Sequence, residues 1–324
     1  MKIKRILSII IIIAALTAVL ASCGGNEVKD KPYVIGTVFP QFDFARQIGG
    51  EHIKCEMLLK PGADSHSYTG DDPSDVYKIM NCDLFIYVGG ETDSEWVERI
   101  KENLESSGQK SPIFLSLCDV CDTIEEDDSG IINKEEEEEE EEESESENDE
   151  HVWTSPKNAV LASLAIKDAL TEIDPDNATD YEKNCTHYVN ELLQLDEDYY
   201  SLIKNADTKT LVFADRFPFR YLAHEFGLTC YAAFSGCSSQ SEPAPTTILK
   251  LCELVEFKHI PCVFYIETSN SKVPEIISNA TGCDTALLHS CHTISQKELD
   301  SGETYLSIMK NNLISLRKAL YYDE

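Results

Sequence analysis

Residues 84–104 read LFIYVGGETDSEWVERIKENL, which is an apolar run, two glycines and then a charged segment with apolar residues at helical spacing. The run 84–88 predicts a buried strand that ends at the glycines, and the segment 96–104 predicts a helix. The same order of strand and helix recurs in both halves of the chain. Alternation of this kind predicts mostly parallel sheets with helices on both faces.

A long helix divides this pattern into two lobes. One helix begins at Ser155-Pro156 and stops before Pro175, and a second helical pattern runs over 177–205, up to about 40 Å at 1.5 Å per residue. The other predicted elements are strands 33–38, 55–59, 210–214, 229–232 and 262–266, and helices 42–48, 73–80, 218–226, 246–257, 273–280 and 304–321. We therefore predict an α/β fold of two lobes, each a mostly parallel sheet flanked by helices, joined by a long backbone helix.

The predicted bounds are 33–175 for the N-terminal lobe, 176–206 for the linking helix and 207–324 for the C-terminal lobe. Ligands of open α/β sheets bind at the carboxyl ends of the strands. We therefore expect the functional site in the cleft between the lobes.

The charge of the chain is strongly negative and unevenly spread. The sequence has 59 Asp plus Glu against 27 Lys plus Arg, a net charge of -32, which makes binding to a phosphate backbone improbable and excludes nucleic acid as a partner. The segment 122–150 holds 18 acidic side chains and one basic one, including nine consecutive glutamates at 135–143. Because like charges repel, we predict an acidic disordered loop there. It either concentrates divalent cations or has no role in their capture.

The first 25 residues indicate export. A basic start is followed by an apolar stretch over 6–21 and then by Leu-Ala-Ser-Cys at 20–23. This order resembles a bacterial lipobox, which implies a signal peptide at 1–22, lipidation (palmitate) of Cys23 and a tether at 23–32. The alternative is a plain signal peptide or anchor helix with an incidental cysteine. The expected location is the extracytoplasmic face of a bacterial cell membrane.

Two histidines stand in distinctive local sequences. His66 lies in PGADSHSY at 61–68, directly after a predicted strand, and His151 lies in DEHVWTSPKNA at 149–159, directly after the acidic loop. His187, His224 and His259 fall in ordinary helical or polar surface patterns.

Both sequences resemble the metal-ligand motifs of the zinc- and manganese-binding lipoproteins of ABC importers (the cluster A-I solute-binding proteins), and the similarity extends over 33–320. The resemblance implies that His66 and His151 are metal ligands. It also implies an extracytoplasmic protein that captures a metal ion between its lobes and delivers it to an ABC transporter permease. We expect a monomer with no catalytic residues.

The second lobe departs from the family pattern. Alignment on the strand at 210–214 makes Asp215 the third ligand, and the alternative role of Asp215 is a helix cap. Alignment on the following helix places Arg216 at this position instead, and arginine cannot bind a metal. His289 takes the place of the fourth ligand. His292 is a possible second-shell group or alternate ligand, and Glu267 is a possible acceptor that orients an imidazole.

The predicted ligands His66, His151, Asp215 and His289 form a set of three nitrogens and one oxygen, which favours Zn²⁺ over Mn²⁺. A manganese- or iron-binding member of the same family is one alternative. A secreted zinc hydrolase is another, but the sequence has no H-E-x-x-H or G-x-S-x-G motif, and a closed four-ligand site leaves no position for a catalytic water. A surface adhesin is a third alternative, which the sequence does not test.

Overall fold

The computed structural model describes residues 30–132, 148–238, 243–269 and 271–322. The predicted signal peptide, most of the tether with Cys23, and the glutamate run 135–143 lie outside the described residues. Within the described part of the chain, no helix is both long enough and apolar enough to cross a membrane.

Two four-stranded sheets form the frame, and every strand pair in them is parallel. The first has the order β2-β1-β3-β4 and the second the order β6-β5-β7-β8. The strands are β1 (Tyr33–Gly36), β2 (Lys54–Met57), β3 (Leu84–Tyr87), β4 (Ile113–Ser116), β5 (Thr210–Phe217), β6 (Thr229–Ser235), β7 (Cys262–Tyr265) and β8 (Asp284–Leu287). The predicted two-lobe α/β fold is confirmed, and both lobes have the same strand order.

Helices connect and cover these strands. They are α1 (Phe39–Gly49), α2 (Pro73–Met80), α3 (Glu91–Ser107), α4 (Leu117–Val120), α5 (Pro156–Ile173), α6 (Ala178–Lys204), α7 (Arg220–Phe226), α8 (Pro245–Lys258), α9 (Lys272–Thr281), α10 (Gln296–Ser301) and α11 (Tyr305–Leu320). The predicted start of α5 has its physical cause in Ser155, whose side chain accepts a hydrogen bond from the Asn158 N–H. Asp72 caps α2 in the same way.

The sequence pattern does not predict β4, β8, α4 and α10, which are short elements. Both strands are four residues long and stand at sheet edges, where several of their side chains are only partly buried. Such segments do not give the continuous apolar run by which the central strands were recognised.

The two ends of the acidic segment 122–150 pack against the lobes. Glu125 forms an isolated antiparallel bridge with Asn148, and Ile131 forms a parallel bridge with Ala232 in β6 of the second lobe. The Ile132 N–H donates to the Ala232 carbonyl at 3.0 Å. The segment therefore leaves the first lobe and contacts the edge of the second sheet.

Helix α6 supports both lobes. It has 27 residues, about 40 Å at 1.5 Å per residue, and packs against α1, α5 and α11. Its buried face is formed by Tyr181, Cys185, Tyr188, Leu192, Leu195, Tyr199, Leu202 and Ile203. The Tyr199 hydroxyl donates to the Met309 carbonyl in α11 at 2.9 Å. A single hydrophobic cluster consequently includes residues of both lobes.

We expect Leu192→Ala to lower the free energy of unfolding by about 2–5 kcal/mol, because it removes a fully buried side chain from this shared core. Alanine is as good a helix former as leucine, so the loss reflects packing and not helix propensity. Urea denaturation of the purified protein measures the change. The adjacent Leu193, 47% exposed, is the matched control, and Leu193→Ala should change stability by less than about 0.5 kcal/mol. Equal effects of the two substitutions would contradict the packing described for α6.

Candidate metal centre

The polar groups of the site follow the carboxyl ends of strands in both lobes. The turn Ser65–Ser67 follows β2, Gly236 follows β6, Glu267 follows β7 and His292 follows β8. In the first sheet β1 has β2 on one side and β3 on the other, and in the second sheet β5 has β6 on one side and β7 on the other, so the strand order reverses at these points. Ligands of open α/β sheets bind at the carboxyl ends of the strands where the order reverses.

His66 is held by a short capped turn. The Asp64 side chain accepts a hydrogen bond from the His66 N–H at 3.1 Å, which fixes the turn that carries the imidazole. The Nδ1 of His66 lies 3.2 Å from Thr92 Oγ1 and 3.3 Å from Glu150 Oε1. A carboxylate behind Nδ1 favours the tautomer that carries its proton there, so that Nε2 is free to bind a metal.

His151 is completely buried and is held in a similar way. Asp149 Oδ1 accepts from the His151 N–H at 2.8 Å and lies 3.2 Å from its Nδ1. Its Nε2 is buried and has no hydrogen-bond partner. Buried polar atoms are nearly always hydrogen-bonded, so this nitrogen indicates a site for a group that binds there.

The imidazoles of His66, His151 and His292 lie together, and we call them the histidine cluster. Their ring centroids are 5.8 Å apart for the first two, and His292 lies 4.9 Å from His66 and 5.3 Å from His151. Nε2 of His292 is hydrogen-bonded to the Ser65 hydroxyl. The cluster thus joins two elements of the first lobe to one of the second.

A very small cavity adjoins the cluster. It has a volume of about 10 Å³, and its lining includes Asp64, His66, Arg216, Gly236 and His292. This volume is about that of one water-sized sphere. A single ion fits this space, whereas an organic substrate does not.

The charges around the histidine cluster favour the binding of a metal cation. Burial, followed by the charges of the neighbouring histidines and of Arg216, holds the pKa of His292 well below its ordinary value. Burial and the charge of His151 lower the pKa of His66. Burial also opposes charge on His151, but the nearby carboxylates, Asp149 foremost, outweigh it and raise the pKa of that residue. The lowered pKa values keep His66 and His292 neutral and able to bind a metal, and the carboxylates that raise the pKa of His151 also attract a cation.

Two further ligand-type groups belong to this site. Glu150 is 3% exposed and accepts hydrogen bonds from the backbone N–H of Thr92, at 3.2 Å, and from its hydroxyl. Cys237 follows Gly236 and is partly buried. Single potential ligand atoms of His66, Glu150, His151 and Cys237 all lie within 4.8 Å of one another.

Asp215 is not brought together with the first-lobe histidines. Its carboxylate accepts hydrogen bonds from the backbone N–H groups of Arg216 at 2.8 Å and Ile266 at 3.2 Å. The neighbouring Arg216 faces the cavity, where it pairs with Asp64 at 3.0 Å and donates to Thr268 at 2.8 Å. A shift in the pairing of β5 with β6 between Phe213 and Arg216 accompanies this arrangement. The side chain at the cavity is therefore that of Arg216, which alignment on the following helix places there, and not that of Asp215.

His289 also lies apart from the histidine cluster, with no ring contact to it among the described residues. Its Nδ1 accepts from the Cys291 N–H at 3.0 Å, and its Nε2 lies 3.8 Å from Glu298. Cys291 has a φ of 61°, in the left-handed region, and the chain turns there between His289 and His292. Consequently His292, predicted as an alternate ligand or outer group, occupies the cluster.

Glu267 holds the loop that carries His292. Its carboxylate accepts from the N–H of Ser290 at 2.9 Å and from its hydroxyl at 2.7 Å. Glu267 also lines the cavity, and its Oε1 lies 3.7 Å from Nδ1 of His289, which is longer than a hydrogen bond. We therefore assign it to the support of the loop, whereas the sequence suggested an acceptor for an imidazole.

Two α/β lobes that both contribute buried imidazoles to one site are the structure of a metal-binding protein. The family described as zinc-uptake complex component A, periplasmic, matches residues 34–319, and the chain belongs to this family. The predicted family is thereby confirmed. It is a family of binding components of uptake systems, not of enzymes.

Known proteins of this kind are similar along nearly the whole chain. The high-affinity zinc uptake system protein ZnuA of Bacillus subtilis is 32% identical over 320 residues, which cover 95% of this chain and 96% of the relative. The zinc-binding lipoprotein AdcA of Streptococcus pneumoniae is 29% identical over 310 residues, but this chain spans only 60% of its length. The crystal structure of the Zn(II)-bound ZnuA-like domain of that AdcA matches with a TM-score of 0.73 and 26% identity, over 90% of this chain and 99% of the domain.

We expect the Asp64–Arg216 ion pair to couple the two lobes. A double-mutant cycle with Asp64→Asn and Arg216→Gln, measured by denaturation of the chelator-treated protein, should give a coupling free energy of about 1 kcal/mol. Asparagine keeps the oxygen that caps the His66 turn. The exposed pair Glu95–Arg99 within α3, at 2.8 Å, is the control and should give about 0.3–0.5 kcal/mol. A coupling no larger than that of the control would mean that the pair does not hold the lobes together.

Proposed function

We propose that this chain is the extracytoplasmic binding protein of a zinc ABC importer. It takes up Zn²⁺ between its lobes with His66, His151 and His292 and delivers the ion to the permease. The observation that carries this assignment is the buried, unpartnered Nε2 of His151 inside a cluster of three imidazoles. Membership of the zinc-uptake family supports the same conclusion independently.

The chemistry of the donor atoms favours zinc. Imidazole nitrogens suit Zn²⁺, and the Irving–Williams order places zinc above manganese and iron at such sites. A manganese site would be expected to present more oxygen ligands. Here the Asp149 and Glu150 carboxylates face the Nδ1 atoms of histidines, where they orient the rings, and Asp215 faces the backbone. The manganese or iron alternative is therefore not favoured.

The hydrolase alternative is not favoured either. A zinc hydrolase needs space for a substrate and a water at the metal. The cavity beside the histidine cluster has a volume of only about 10 Å³. Capture and release of the ion itself is the function that fits this site.

We further propose that Cys23 carries the lipid anchor, after removal of the signal peptide 1–22, and that the protein works as a monomer on the outer face of the membrane. The lipobox-like sequence at 20–23 supports the anchor. The relative AdcA of Streptococcus pneumoniae is named a lipoprotein. Incorporation of labelled palmitate into the wild type but not into Cys23→Ser tests the anchor.

Two measurements test the proposed function. Elemental analysis of the protein purified without chelator should find zinc, and a competition titration should rank Zn²⁺ above Mn²⁺. A strain that lacks the gene should grow poorly when zinc is limiting, and the wild-type chain should restore growth. Preferential binding of manganese, or normal growth of that strain, would contradict the proposal.

We expect His66→Ala, His151→Ala and His292→Ala each to weaken Zn²⁺ binding by more than about 100-fold. Loss of a group that only orients a ligand costs about 10–100-fold, and loss of the ligand itself costs more. Isothermal titration with a competing chelator measures the affinity. His187→Ala is the control, because its side chain is 80% exposed on α6. Wild-type affinity in any of the three variants would contradict the assignment of that histidine as a zinc ligand.

Asp149→Asn should lower Zn²⁺ affinity by about 10–100-fold without unfolding the protein. Asparagine has nearly the same shape as aspartate, but it loses the charge that holds the Nδ1 proton of His151. The matched control is Asp122→Asn, an exposed aspartate at the other end of the same segment. An unchanged affinity in Asp149→Asn would show that the orientation of His151 does not depend on this carboxylate.

A further inference from the structure

Cys237 is the cysteine of the described residues whose sulfur lies among potential metal ligands. Its Sγ, one nitrogen each of His66 and His151, and an oxygen of Glu150 fall within 4.8 Å of one another. The other ten described cysteines do not belong to any such group in the described part of the chain. The nearby His151 Nε2 is buried and lacks a partner, which independently indicates a ligand at this point.

Gly236 explains how the backbone reaches the site. A Cβ atom at this position would lie 2.9 Å from the Phe217 carbonyl oxygen and 3.1 Å from His151 Cε1. Only a residue without a side chain lets the chain pass so close to the buried imidazole. The next residue, Cys237, is thereby brought from the end of β6 in the second lobe to the histidines of the first.

The remaining carboxylate of the group is already engaged. Glu150 accepts two hydrogen bonds from Thr92 and faces Nδ1 of His66 at 3.3 Å, which is the arrangement of a group that orients a ligand. Arg216, at the end of β5, cannot bind a metal. Among the described residues of the second lobe, Glu267 is engaged by Ser290, and His292 after β8 and Cys237 after β6 are the candidates to complete a zinc site.

We infer that Cys237 binds the transported Zn²⁺ as a thiolate, together with the histidine cluster. This inference rests on the proposed function. On binding, the thiol releases one proton to solvent and its sulfur forms a bond to zinc, with no change in oxidation state. Bonds of about 2.0–2.1 Å to nitrogen and about 2.3 Å to sulfur imply tetrahedral ligand separations of roughly 3.3–3.8 Å. The ligand atoms of His66, His151 and Cys237 lie within 4.8 Å of one another, so a contraction of roughly 1–1.5 Å at most brings these three to such separations.

A sulfur ligand would also raise the selectivity of the site. Thiolates are soft donors that suit zinc, whereas manganese prefers carboxylate and carbonyl oxygen. Replacement of Cys237 should therefore weaken zinc binding more than manganese binding, and the ratio of the two affinities becomes a measurable property of this side chain.

Cobalt substitution tests the inference. Co²⁺ added to the metal-free protein should produce a thiolate-to-cobalt charge-transfer band in the near ultraviolet. The band should be absent in Cys237→Ser and Cys237→Ala, which should still bind Co²⁺, and present in the control Cys252→Ser, because Cys252 lies on α8. Zinc affinity of the two Cys237 variants should fall by about tenfold or more, and the preference for zinc over manganese should fall with it.

The outcomes separate this inference from the proposed function. A wild-type protein that binds Co²⁺ without the band, or a band that persists in the Cys237 variants, would overturn the role of Cys237 and leave the histidine site intact. A wild-type protein that binds neither Co²⁺ nor Zn²⁺ would overturn the proposed function itself. Titration calorimetry in buffers of different ionisation enthalpy measures the protons released when zinc binds. The wild type should release about one proton more than Cys237→Ala, and equal release from the two proteins would contradict the inference.

Discussion

The hydrogen bond between Asp149 and His151 is the interaction on which the site depends. It fixes one nitrogen of a fully buried imidazole and leaves the other without a partner. Such an arrangement is costly in a protein that binds nothing, because a buried polar atom without a hydrogen bond loses its hydration and gains no partner. The packing of the two lobes must supply the free energy that maintains it, and the shared core around α6 is the part of the fold suited to do so.

Direct contacts between the lobes keep the buried site closed. Trp153, which packs its ring 5.6 Å from that of His151, donates its Nε1–H to the Ser290 carbonyl at 2.9 Å. The Gly62 N–H donates to Thr293 Oγ1 at 3.0 Å. Ser290 and Thr293 flank the second-lobe histidine of the cluster. The same loop therefore carries a metal-binding side chain and the groups that attach it to the first lobe, so that movement of the lobes and loss of a ligand are coupled.

The sequence predicted the parts of this arrangement that are local. His66 and His151 stand in motifs whose neighbours, Asp64 and Asp149, also fix them in the structure. The second lobe could not be predicted in the same way, because a one-residue shift in the pairing of β5 decides which side chain faces the cavity. Cys237 gave no local signal, since it reaches the site only through the close approach of Gly236 to a residue 85 positions earlier in the chain.

Arg216 shows how a cation site tolerates a fixed positive charge. Its guanidinium lies beside the cavity and lowers the pKa of both neighbouring histidines, His66 and His292, in which burial is the larger cause. Asp64, 3.0 Å away, neutralises this charge. Asp149 and Glu150 then remain as carboxylates directly behind the imidazoles. Three carboxylates against one guanidinium leave the site negative, which attracts a divalent cation. The same carboxylates raise the pKa of His151, so that zinc and a proton compete for this imidazole.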